Sequence, residues 1–132
     1  MTKPTKEDAA LIVQIMAASN ADELYQKAQW WFYFEFNEKT YEDFQKKYPP
    51  GSDGYKFFMK FATEAEYVTT LVNRELLSDE LVFDLVGDLL WNKAEPVVHG
   101  LRKDFGMPRL FENYEFCAKK YPEWAEKNPP KV

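Results

Sequence analysis

The chain has 132 residues, 23 of them Phe, Trp or Tyr, and its 17 Lys and Arg stand against 22 Asp and Glu for a formal charge of −5. That length suits a single domain spanning 1–132 with a core that needs no covalent staples. One cysteine excludes a disulfide framework and a Cys-rich zinc site, and one histidine excludes the paired Glu-x-x-His ligands of di-iron bundles.

Apolar spacing is helical between the Gly and Pro clusters. Thr5 caps a first helix, with Asp8 three residues on at the capping-box position. Leu11, Ile12, Ile15 and Met16 share one face, and the helix should end near Ser19. Asn20 is the next expected cap, with Glu23 completing its box. Leu24, Ala28, Trp31 and Phe32 follow at helical spacing. Six of the seven residues from Trp30 to Phe36 are aromatic, a run that would also suit a strand. Helix is the better reading, because a cap precedes the run and no partner strand is visible.

Thr40 and Asp43 mark a short helix through Tyr48, and Pro49–Gly54 is the clearest loop in the chain. Tyr55 to Leu77 should form the longest helix, with Phe57, Phe61, Val68 and Leu71 on a broad apolar face. Ser78-Asp79 restarts the chain. Leu81, Val82, Leu85, Val86, Leu89 and Leu90 then form a double stripe that suits a central helix. Pro96 implies a kink, or a new helix from near Glu95 to Phe105. Arg109 to Tyr121 is the last expected helix, stopped by Pro122. The ends, 1–5 and 123–132, should be loosely ordered unless Trp124 docks. The expected fold is an all-α, compact bundle of six to seven helices. Its core should include Leu24, Trp31, Phe57, Phe61, Val68, Leu71, Leu85, Leu89 and Trp91.

Reactive side chains are few. Glu95 and His99 stand at i, i+4 on one helix face, but no second histidine completes a metal site, so none is expected. Glu80, Asp84 and Asp88 should share the wet face of an amphipathic helix. Ser52 and Ser78 occupy cap and turn positions, Ser19 ends a helix, and no Gly-x-Ser-x-Gly occurs. Cys117 falls on an inward face, which suits an inert thiol. No catalytic residue and no cofactor follow from this set.

Charges of both signs alternate along the chain, without the basic stripe of a nucleic-acid binder. The longest apolar run, Ala9 to Ala21, falls short of a membrane span. A lone cysteine and the lack of a clear secretory signal point to a cytoplasmic protein.

Six rings between Trp30 and Phe36 cannot all lie on one side of a helix. The surplus points to a contact surface, because Trp and Tyr dominate interface hot spots. Trp30, Tyr33, Phe34 and Trp124 are the candidate interaction residues. The expected function is a non-enzymatic protein-interaction module that binds another protein or a second copy of itself. The alternatives are a regulatory protein with an aromatic pocket for a small ligand, and a mobile-element protein that inhibits a host system.

One further pattern spans Asp22 to Phe105. A long helix, Tyr55–Leu77, runs through Glu75-Leu76-Leu77-Ser78-Asp79-Glu80-Leu81-Val82 into Phe83-Asp84-Leu85-Val86-Gly87 and then Trp91. In these features the chain resembles the DUF4760 family of uncharacterised bacterial helical proteins. The resemblance implies an all-α fold and brings no activity and no catalytic motif. Members of that family often carry an N-terminal membrane helix. The first helix here is short and amphipathic, so membrane attachment is not implied.

Overall fold

A computed structural model describes residues 1–132. It contains α1 (Lys6–Ala21), α2 (Glu23–Phe34), α3 (Tyr41–Lys47), α4 (Asp53–Asn73), α5 (Asp79–Val86), α6 (Trp91–Phe105), α7 (Glu112–Ala118) and α8 (Tyr121–Lys127), with no strand. The chain thus forms the all-α bundle that its spacing implies. The helices α1 to α7 fill the expected number, and α8 is a further two-turn segment made from the tail.

Local chemistry sets most helix starts. The Asp8 N–H donates to Thr5 Oγ1 at 3.2 Å, and the Asp8 carboxylate accepts from the Thr5 N–H at 2.8 Å. Thr40, Ser52 and Ser78 cap α3, α4 and α5, each accepting from the N–H three residues on. Asn20 is not a cap. The first helix runs through it to Ala21, and the extended Asp22 closes α1 and caps α2 by accepting from the Tyr25 N–H at 3.0 Å. A cap residue must itself leave helical geometry, and Asn20 has not done so.

Helix ends depart further from expectation. The long helix α4 stops at Asn73, where the Leu76 N–H donates back to the Leu71 carbonyl and the Glu75 N–H to that of Val72. Glu75 takes the left-handed conformation (φ 60°) that this closure requires. The stripe from Leu81 to Leu90 is not one helix, because α5 ends at Val86 and Gly87 turns the chain at φ 62°, ψ −138°. Leu89 and Leu90 continue the turn at φ 57°. The sixth helix therefore starts at Trp91, four residues before the expected start, and holds Pro96 inside it. The missing Pro96 N–H leaves the carbonyl of Asn92, an exposed residue, without its helical donor. The last expected helix is split. Phe111 at φ 57° delays α7 to Glu112, and Pro122 lies in the first turn of α8, where its missing N–H costs nothing.

Two apolar clusters hold the bundle. The larger joins α2, α3, α4, α6 and α7, and its centre is the Phe32 ring stacked on Phe61 at 4.0 Å between centroids. Trp31 stacks on Phe36 at 5.0 Å. Such pairs add about 0.5–1.5 kcal/mol each beyond burial. The smaller cluster gathers Val72, Leu77, Val82, Phe83 and Cys117 beneath Leu11, Ile12 and Ile15 of α1. Trp124 docks on it, 5.9 Å from Phe83 and 5.8 Å from Tyr121.

Of the expected core, Trp31, Phe61 and Trp91 are buried, and Phe57, Val68, Leu71 and Leu89 are half-buried. Leu24 and Leu85 are exposed. Burial on α2 begins only at Ala28, one turn after Leu24, and the truncated α5 buries Val82 and Phe83 but not Leu85.

Polar ties fix the start of α1 to the start of α5. The Ser78 N–H donates to Asp8 Oδ1 at 2.9 Å, Ser78 Oγ donates to the Thr2 carbonyl at 2.5 Å, and the Thr2 N–H donates to Asp79 Oδ1 at 2.9 Å. No helix is long and apolar enough to cross a membrane.

Candidate functional site

The core face of α2 is set by Ala28, Trp31 and Phe32. At about 100° per residue, Trp30 and Phe34 then point away from α4 and toward solvent. Trp30 is 62% exposed and Phe34 69%, and their ring centroids lie 4.5 Å apart. Tyr33 turns partly inward, 6.3 Å from Phe61 and 6.2 Å from Phe34. Burial, and then the nearby Asp88 carboxylate, push its phenol above the usual range. The structure thus brings Trp30, Tyr33 and Phe34 together. It places Trp124 elsewhere, half-buried in the smaller apolar cluster.

A cleft of about 260 Å³ opens between α1, α2, α4 and α5. Ile12, Ile15, Phe61, Val68, Leu85 and Leu89 form its apolar walls. Ser19, Asn20 and Gln29 also line it, from the last turns of α1 and the middle of α2. Glu64 lines it too, paired with Lys60 at 3.0 Å, and Lys60 also meets Asp22 at 2.7 Å. Tyr25 completes the α2 wall, its phenol pushed up to about 12, mainly by burial. The sequence shows the inward face of Ile12 and Ile15. It carries no sign that α5 ends at Val86 and leaves Leu85 exposed at the cleft.

Reactive groups are arranged differently from the sequence reading. Glu80, Asp84 and Asp88 do not share a helix face, because α5 ends before Asp88. Asp88 Oδ1 accepts from the Leu90 N–H, and Asp84 pairs with Lys131 at 2.7 Å. Glu95 and His99 do share α6, and Glu115 of α7 joins them, so that ligand atoms from the three lie within 4.8 Å of one another. Glu115 is a residue the sequence reading missed, since only the packing of α7 on α6 places it there. Its carboxylate meets Arg102 at 2.7 Å and Lys119 at 2.5 Å, and His99 Nε2 is 3.8 Å away. Burial alone would raise its pKa. The Lys119 and Arg102 hydrogen bonds outweigh burial and hold the carboxyl at about 2. Two cations thus already occupy this carboxylate. Glu95 accepts from Trp91 Nε1 at 3.2 Å. Cys117 is buried, and burial pushes its thiol up to about 11, away from a reactive thiolate.

The fold is an all-α bundle whose conspicuous surface features are aromatic and aliphatic rather than reactive. The chain belongs to the family described as "Domain of unknown function (DUF4760)", which it matches over residues 4–121, from before α1 to the start of α8. No curated protein and no solved structure matches it.

Proposed function

We propose that this protein is a non-catalytic interaction module that binds another protein, or a second copy of itself, through the outward face of α2. The observation that carries this reading is the Trp30–Phe34 pair, two rings in contact at 4.5 Å between centroids, tilted at 50° and each more than half exposed. Placing such area in water forgoes the gain of about 25 cal/mol per Å² that burial returns. Aromatic side chains on a rigid helix are the usual anchors of an interface. Tyr33 extends the patch, and Lys27 and Glu35 supply charges beside it, as at the polar rim of an interface. A single, buried, unreactive thiol fits a reducing compartment such as the cytoplasm.

The experiment compares wild type with the double variant Trp30→Glu/Phe34→Glu by light scattering across a concentration series and by affinity capture from the native host. Wild type should either gain mass with concentration or retain a partner, and the variant should lose that behaviour with unchanged far-UV circular dichroism. Equal mass and equal capture for the two proteins would overturn the reading.

A further inference from the structure

We propose that the cleft between α1, α2, α4 and α5 binds a small uncharged molecule with an aliphatic body and one neutral polar end. This site is separate from the outward face of α2. Size is the first argument. A dry apolar cavity of about 150 Å³ holds benzene, so the roughly 260 Å³ here suits a longer molecule, such as a chain of about eight carbons.

The lining sets the chemistry. Eleven of the fifteen lining residues are hydrophobic. Only Tyr25 and Phe61 among them are aromatic, so the walls are mainly aliphatic. The four polar lining residues are Ser19, Asn20 and Gln29, one hydroxyl and two amides that can serve an alcohol, amide or ketone, and Glu64, whose carboxylate is paired with Lys60. A charged end finds no partner. A carboxylate would face Glu64, with Asp22 nearby, and an ammonium would find Glu64 already paired with Lys60. Burying an unpaired charge is costly, so the site selects against both.

Polar ties anchor α1 at both ends of the cleft. At one end Asp8 and Thr2 tie α1 to Ser78 and Asp79. At the other, Gln26 Nε2 donates to the Ser19 carbonyl at 2.9 Å and ties α1 to α2. These ties fix both ends of α1, while Leu11, Ile12 and Ile15 pack on Val72, Val82 and Phe83 beside the cleft. Leu89, a wall residue, keeps a left-handed backbone (φ 57°) that non-glycine residues adopt at a cost, and its carbonyl accepts from the Tyr114 hydroxyl. A preformed apolar cleft with a few neutral polar groups is the ordinary form of a small-ligand site.

The test uses the neutral fluorophore N-phenyl-1-naphthylamine with the full chain. Wild type should give a saturable, one-to-one rise in emission. 1-Octanol should displace the probe, and octanoate and octylammonium should do so about tenfold or more weakly. Leu85→Arg and Met16→Arg, both at exposed lining positions, should weaken probe binding by a similar factor. Trp30→Ala should leave it unchanged. The inference is overturned if wild type shows no saturable binding, if octanoate or octylammonium competes as well as octanol, or if Trp30→Ala abolishes the signal. It is also overturned if both arginine variants keep wild-type affinity. The octanol comparison is made on wild type, so it stands whether or not the variants fold.

Discussion

Tyr41 of α3 occupies the space above Gly100 of α6. A Cβ placed on Gly100 would lie 2.1 Å from Tyr41 Cγ, and the ring is anchored by its hydroxyl, which donates to Asp104 at 2.5 Å. The two helices meet there because position 100 has no side chain. Gly100→Ala gains about 1 kcal/mol in helix propensity, but the overlap is with the root of the ring rather than a mobile tip. The expected result is a net loss of about 1–3 kcal/mol, read by urea unfolding.

Glu75 presents the opposite case. It holds φ 60° at the end of α4 and is exposed. Glycine occupies this conformation without strain. Glu75→Gly should stabilise the protein by about 1 kcal/mol, raising the urea midpoint while leaving the unfolding slope unchanged.

Trp91 and Trp30 should separate core from surface. Trp91 is 3% exposed, packs edge-on against Tyr114 at 5.0 Å and bonds to Glu95. Trp91→Ala should cost about 3–5 kcal/mol. Trp30→Ala removes a ring that touches mainly Phe34 and water, and should stay within about 1 kcal/mol of wild type. Parallel melting curves for the two variants check this.

The Glu115 carboxyl gives a pH dependence with a definite sign. Its pKa is held at about 2 in the fold, below the ordinary 4.5, so the folded state favours the charged form. The stabilisation is fully present above pH 4.5 and is lost as the pH falls toward 2. Glu115→Gln should therefore melt below wild type at pH 7, and the gap should narrow between pH 4.5 and 2. A gap that is constant with pH would show that the Arg102 and Lys119 pairs contribute nothing through charge.

Much of the helical frame was legible in the sequence because capping acts over three residues. Thr5, Thr40, Ser52 and Ser78 each cap the helix that follows them. Asn20 misled because the acceptor two residues later, Asp22, sits where the chain bends. The outward aromatics could also be read, since a helix that buries Trp31 and Phe32 must turn Trp30 and Phe34 elsewhere. Trp124 could not be placed, because its position depends on Phe83, some forty residues earlier in the chain.

By itself the sequence determined an all-α chain and the capped starts of α1, α3 and α5, for these follow from side chains acting on backbone within one turn. Tertiary structure alone decided that Leu85 faces water while Val82 is buried, that Glu115 meets Arg102 and His99, and that a cleft remains beside α1. Each of these depends on where one helix ends and how it crosses another distant in the chain. Apolar spacing states only that a face seeks cover, and not which neighbour will reach it.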